Sequence, residues 1–274
     1  MWWKKEKSAR ISLISMNSDG PLMNFRELGG YKLKNGKRIR RGYIYRGRAL
    51  DKLDEESIAY LNSLHFDYVF DLRDEDNQNE KPDYRLPGVK YVSCPIIDSL
   101  AMKGDKNPVD LDKIVQVLDE GAWSKADFKE ALRNFKIMYE KMPFSKAFSP
   151  IFEALNEGKR IYIHCTGGKD RTGVACMMIL WALGASDKTV WKDYRLSNRY
   201  RRKRNLWRIK SGFKKSGHLY SIHYLRKCMI CSYSHFKSVK KVIFSKYETI
   251  ESFLEEEFTI NHKMIEKWRE FYTN

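Results

Sequence analysis

Ile161-Tyr162-Ile163-His164-Cys165-Thr166-Gly167-Gly168-Lys169-Asp170-Arg171-Thr172-Gly173 decides how this chain is read. An apolar run ends in His-Cys, a turn with two glycines follows, and an arginine stands six residues after the cysteine. Residues Arg160 to His164 predict a short buried strand, and Val174 to Leu183 predict an apolar helix that Gly184 terminates. The turn therefore opens a helix, whose unbonded N–H groups and positive dipole end favour an anion.

Each residue type in the turn has a chemical reason. Gly167 and Gly168 give the backbone freedom to curl its amides onto one centre, where they bind phosphate oxygens together with Thr166 and Lys169. The same amides lower the thiol pKa of Cys165 and predict a thiolate nucleophile. Arg171 is suited to hold two equatorial phosphate oxygens, and Thr172 brings a hydroxyl to the sulfur as it leaves a phosphocysteine. His164 is expected to act behind them, hydrogen-bonding the loop backbone and fixing its shape. A bare Cys-x5-Arg is a weak pattern. Its specificity comes from the His before the Cys, the glycine and the Thr-Gly after the Arg.

The segment resembles the active-site loop of the cysteine-dependent protein tyrosine phosphatase superfamily, HCxxGxxR[ST]G. It is most similar to the bacterial atypical branch, HCxxGKDRTG, which resembles both dual-specificity and phosphoinositide phosphatases. Asn24-Phe25-Arg26-Glu27-Leu28-Gly29-Gly30-Tyr31, Tyr45-Arg46-Gly47, Phe70-Asp71-Leu72-Arg73 and Asp193-Tyr194-Arg195-Leu196-Ser197-Asn198 resemble further segments of that branch. The resemblance covers about residues 22–200, and the pattern of Tyr247 to Tyr272 is similar to the family's last helices. It implies an α/β fold with a central sheet flanked by helices, hydrolysis of phosphotyrosine and also of phosphoserine or phosphothreonine esters, and no metal or cofactor. Phosphoinositide hydrolysis is the alternative within catalysis. A phospho-ligand or nucleic-acid binding module without turnover is the alternative outside it.

Working outward, Tyr31 to Arg40 predicts a β-hairpin turning at Asn35-Gly36, Asp54 to Leu64 a capped helix, and Phe66 to Leu72 and Val89 to Cys94 two strands. Pro108 to Met142 reads as helical, with Ser124-x-x-Asp127 opening a stripe of Phe128, Leu132, Phe135 and Tyr139. This insert, 101–145, is a candidate lid. Ser145 to Asn156 predicts a short helix, and the part after residue 185, including 201–274, predicts helices only. The whole, 1–274, is read as a single domain.

Composition bounds the partners. At 274 residues and 42% hydrophobic the chain can bury a substantial core. Five cysteines, one of them needed as a thiolate, fit a reducing compartment. Met1 to Lys7 is cationic, but no long apolar run follows, so the expectation is a cytoplasmic protein without signal peptide or membrane span, with leaderless export, which would leave no such trace, as the alternative. The net charge is +17, and Lys192 to Lys215 holds eleven Lys or Arg against Asp193 alone. That stretch reads as a solvated helical face or as an attraction to an anionic membrane surface. Nucleic acid is the least favoured partner.

Two acids compete to protonate the leaving oxygen. Asp71 ends an apolar strand and is slightly preferred, while Asp170 lies inside the loop. Lys169 suits a substrate with more than one phosphate, and Arg46 or Arg48 is a candidate second phosphate ligand. His218, His223, Cys228, Cys231 and His235 could begin a zinc site, but the apolar spacing of Ile222, Leu225, Met229 and Tyr233 predicts one amphipathic helix instead.

Overall fold

A computed structural model describes residues 19–96 and 124–274. In chain order its first elements are β1 (Arg26–Glu27), β2 (Ile44–Arg48), α1 (Glu55–Asn62), β3 (Tyr68–Asp71), α2 (Glu75–Glu80), β4 (Lys90–Ser93) and α3 (Lys125–Lys141). Two 3-10 turns lead to α4 (Ser149–Asn156), β5 (Ile161–Cys165) and α5 (Arg171–Ala182). There follow α6 (Asp187–Tyr200), α7 (Arg202–Ser216), α8 (Leu219–Met229), α9 (Tyr233–Phe244), α10 (Ile250–Phe258) and α11 (His262–Tyr272).

The sheet order is β1-β2-β5-β3-β4, with β1 antiparallel and the other pairings parallel. The central strand, β5, alternates its side chains: Ile161 and Ile163 join the larger core cluster, and Tyr162 joins the smaller one. The sheet is thus buried on both faces, as parallel sheets are. Helix α5 has all twelve residues buried and threads the larger cluster. Cys165 pairs in register with Arg48, and His164 with Asp71. The carboxyl ends of β2, β5 and β3 therefore open on one edge, where ligands of parallel sheets bind.

Tyr31 to Arg40 forms the expected hairpin: it turns at Gly36 (φ +88), bridges Lys32 to Arg38, and crosses its arms with the Ile39 N–H donating to the Tyr31 carbonyl at 3.0 Å and the Leu33 N–H to the Lys37 carbonyl at 2.9 Å. On its outer edge the N–H groups of Arg38 and Arg40 donate to the carbonyls of Asn274 and Tyr272. Two expectations differ from what is observed. Two 3-10 turns, rather than a helix, occupy residues 142–148 before α4 begins at Ser149. Pro150 suits that first turn because it needs no N–H partner there. The stretch read as one helix over the His and Cys residues is two helices. Ile230 is extended, and Ser232 caps α9 by accepting from the His235 N–H. The side-chain amide of Asn198 brackets the Cys231 backbone, donating to its carbonyl at 2.9 Å and accepting from its N–H at 2.6 Å.

The apolar stripe on α3 is inward: Phe128, Phe135 and Tyr139 are buried and Leu132 packs against them. The rest of the insert, the Asp127 side chain and Met1 to Lys7 lie outside the described residues.

Candidate active site

Strand β5 ends at Cys165, and α5 begins at Arg171, so the loop 166–170 joins them in one tight arc. Gly168 has φ +61, and a Cβ there would lie 2.1 Å from the carbonyl oxygen of Gly47. The loop carbonyls are held outward by three side chains. Asn24 Nδ2 donates to Gly167 O at 3.0 Å and Gly168 O at 2.7 Å. Arg46 Nη2 donates to Gly168 O at 2.9 Å, and Arg201 Nη1 to Gly167 O at 2.6 Å. Because a trans peptide points its C=O and N–H in opposite directions, fixing these carbonyls directs the partner amides away from the scaffold.

Those donors are themselves anchored. Asp193 on α6 accepts from Arg26 Nε at 2.8 Å, Arg46 Nη1 at 2.6 Å and the Tyr31 hydroxyl at 3.2 Å. Arg26 also donates to Asn24 Oδ1 at 2.6 Å and Ser197 Oγ at 3.2 Å. Burial raises the Asp193 carboxyl, but the two guanidiniums outweigh it and hold it below its ordinary value. The NFRELGGY and DYRLSN segments are therefore one network under the loop.

Cys165 is 3% exposed. Burial pushes its thiol up, and Arg171 together with the Thr172 hydroxyl and N–H more than offset this, so it sits below the ordinary thiol value. Arg171 Nη2 donates to Thr166 Oγ1 at 3.2 Å and its Nη1 lies 3.5 Å from Asp74 Oδ2. The guanidinium is thus fixed across the loop from the sulfur before any ligand binds.

His164 does not bond the loop backbone as expected. Its Nε2 lies 2.9 Å from Asp83 Oδ2 and its Nδ1 lies 3.7 Å from Asp71 Oδ1. Burial disfavours its charge, but the two carboxylates raise its pKa above the ordinary value. Asp83 also accepts the Leu50 N–H at 2.7 Å and lies 3.1 Å from Arg73. Among the described residues, Asp71, Asp83 and His164 form the one cluster with metal-like spacing, and the Arg73 guanidinium already pairs with both of its carboxylates, at 2.6 Å and 3.1 Å.

The two acids occupy different places. Asp71 accepts from Arg73 Nη2 at 2.6 Å and from Arg73 Nε and N–H at 3.0 Å, and it is not among the residues that line the cleft. Asp170 is among them. It accepts from the Tyr139 hydroxyl, which also meets the Tyr194 hydroxyl at 2.6 Å, and it lies 3.4 Å from Lys169 Nζ. Burial raises its pKa, and Lys169 and Tyr139 bring it below the ordinary carboxylate value. Lys169 is buried and donates to the Cys228 carbonyl at 2.6 Å.

The loop floors a cleft of about 390 Å³. Arg48 and Lys52 line it together with Arg201, Arg204 and Arg208. Arg46, expected as a phosphate ligand, is fully buried beneath the loop instead. Arg48, two residues on, is the one that reaches the cleft. The basic stretch 192–215 also divides: Arg201, Arg204 and Arg208 share the inner face at helical spacing, while Lys192, Arg195, Arg202, Lys210 and Lys214 are exposed outward.

Sequence reading missed Asp83, Tyr139 and Arg201. Only Tyr139 carried a signal, as the last member of the α3 stripe.

The model of a family described as the tyrosine phosphatase family matches residues 20–274. The chain is 27% identical over 180 residues to a Cupriavidus necator protein named as a tyrosine-protein phosphatase, covering 65% of this chain and 61% of that one. It is 26% identical over 172 residues to triple specificity protein phosphatase PtpB of Mycobacterium tuberculosis, covering 58% and 62%. The chain thus spans about three-fifths of the length of these relatives. Among solved structures, the core catalytic domain of PP-IP phosphatase SIW14 from S. cerevisiae aligns over 81% of this chain and 94% of that one. Its identity is 16% and its TM-score 0.29, a superposition too loose to argue from.

Proposed function

The chain belongs to the tyrosine phosphatase family, and from that premise we propose that it hydrolyses phosphate monoesters, phosphotyrosine foremost, through a phosphocysteine intermediate. One observation carries the reading: Cys165 and Arg171 line one cleft at the mouth of α5, with the thiol held below its ordinary value. The names of its two relatives, a tyrosine-protein phosphatase and a triple specificity phosphatase, support the same substrate class.

In the first step the Cys165 thiolate attacks phosphorus, forming the S–P bond as the ester P–O bond breaks. Arg171 and the loop amides hold the three equatorial oxygens. The leaving oxygen takes a proton from Asp170, which stands on the cleft wall where Asp71 does not. Asp170 starts below its usual pKa, and the bound phosphate dianion beside it opposes that lowering, which favours the protonated form that donation requires. In the second step water attacks phosphorus, Asp170 takes the water's proton, and the S–P bond breaks with Thr172 stabilising the departing thiolate. Since the mechanism needs a reduced thiol, we place the protein in the cytoplasm.

The test is phosphate release from a phosphotyrosine peptide. Turnover in the unmodified chain with substrate retained but not cleaved by Cys165→Ser supports the reading, and turnover surviving that substitution overturns it. The cationic walls favour a second reading, a phosphoinositide headgroup presented at an anionic membrane, which phosphoinositide vesicles in the same assay distinguish.

A further inference from the structure

Helix α7 turns two stripes in opposite directions. Arg201, at its N-cap, Arg204 and Arg208 line the cleft, and Asn205 and Gly212 are buried, with Gly212 turned toward Leu225 on α8. On the other side Arg202, Leu206, Lys210 and Lys214 recur every fourth residue and are exposed, with Trp207 beside them. On α8, Leu219, Ile222 and Arg226 form a second exposed stripe at helical spacing. Leu206, Trp207, Leu219 and Ile222 are 47%, 53%, 76% and 36% exposed, four of the seven large exposed hydrophobic side chains among the described residues. Single apolar side chains at a surface are ordinary, but four gathered on one helical hairpin mark an interaction face. The charge around them has one sign: residues 194–247 hold sixteen Lys or Arg and no Asp or Glu.

We infer that the outer face of the α7–α8 hairpin docks on an anionic lipid bilayer, with Leu206, Trp207, Leu219 and Ile222 entering the interface and the surrounding Lys and Arg side chains meeting the lipid headgroups. The mixture of groups selects this partner. A nucleic acid would use the cations and stack on Trp207, but it gains nothing from exposed Leu206, Leu219 and Ile222. A bilayer uses all of them: leucine and isoleucine reach the acyl boundary, tryptophan sits at headgroup level, and long basic side chains extend past them to the charged surface. Leu219, the most exposed of the four, stands just past the turn at Gly217 (φ +68), at the hairpin's tip. No helix among the described residues is long and apolar enough to cross a membrane. The hairpin therefore lies along the surface, and α7 offers it a length of about 22 Å over its fifteen residues. The lipid is here a support rather than a substrate, so the inference goes beyond the catalytic reading and does not depend on it.

Co-sedimentation of the full chain with vesicles at physiological salt tests the docking face. Vesicles of phosphatidylcholine with phosphatidylserine, free of phosphoinositide, are expected to bind it at least about tenfold more tightly than phosphatidylcholine alone. Trp207→Ser combined with Leu219→Ser, which leaves the charge unchanged, is expected to weaken that binding by about tenfold or more. Lys210→Glu combined with Lys214→Glu is expected to do the same. Lys263→Glu combined with Lys267→Glu, an equal charge change at exposed positions of α11, is expected to stay within about twofold. If the serine variant unfolds, quenching by lipid brominated in its acyl chains reads insertion instead, as the part of the parent's fluorescence loss that Trp207→Phe lacks. Equal binding to both kinds of vesicle, full binding by the folded serine variant, absence of the Trp207 quenching, or an equal loss in the α11 variant would overturn the inference. So would retention on a single-stranded oligonucleotide or an acidic peptide with none on the anionic vesicles. Every arm reads binding, so its outcome is separate from whether the chain hydrolyses a phosphate ester.

Discussion

Arg46 and Asp193 meet at 2.6 Å with side chains 0% and 1% exposed, joining β2 to α6 directly beneath the catalytic loop. Removing one partner of such a buried pair costs about 3 kcal/mol or more, which is a fall in Tm of roughly 6 °C or more for a chain of this size. Arg46→Met is therefore expected to lower Tm by that amount in thermal denaturation. An unchanged Tm with a KM raised tenfold would make Arg46 a substrate ligand after all.

Asp83 and His164 carry a linked pH dependence. The folded pKa of His164 is raised, so its contribution is fully present below its unfolded value of about 6.5 and is lost as pH rises through the folded value. Asp83 is lowered, because His164 and Arg73 outweigh its burial, so its contribution is lost only as acid titrates its folded value. Asp83→Asn is expected to cost about 3 kcal/mol at pH 6 and to flatten the loss of stability above pH ~6.5. Denaturant unfolding across that range checks it, and an unaltered slope would contradict the coupling.

Gly168→Ala places a Cβ against the Gly47 carbonyl at a φ that L residues resist. The loop must shift to admit it, and a displacement of this kind costs about a hundredfold in turnover. Steady-state kinetics at saturating and limiting substrate read this, and activity within threefold of the parent would show that the arc tolerates movement.

Proton donation separates Asp170 from Asp71. Asp170→Asn is expected to slow a poor alkyl leaving group by about a hundredfold or more while sparing an aryl group that leaves unaided. Asp71→Asn is expected to disturb Arg73 and stability rather than this selectivity. Tyr139→Phe deletes the hydroxyl that donates to Asp170, so the pH-profile limb that vanishes in Asp170→Asn should move to higher pH. A stationary limb would detach Tyr139 from the proton donor.

Much of this arrangement was legible in the chain. The strand–turn–helix around Cys165 declares itself because apolar period, glycine placement and a helix stop all agree. Arg46 and Arg48 show where reading stops: two residues apart, they share a face of β2, and alternation cannot tell them apart. Register does, since Arg46 lies opposite Ile163 and Arg48 opposite Cys165. The rotation of α7 about its axis, with Gly212 turned toward Leu225, likewise decides which arginines reach the cleft. Asp83 sits in an irregular segment, without any periodicity to mark it.

The central claim is an ionised sulfur at Cys165. The rate of alkylation of that residue against pH, followed on its own peptide, measures it. Cross-reaction is small, because burial pushes Cys94 and Cys228 up to about 12 and Cys176 and Cys231 up to about 11. The account predicts an inflection below the free-thiol value of about 8.5 and an upward move in Arg171→Ala. An inflection at or above about 8.5 with Arg171 in place would contradict it.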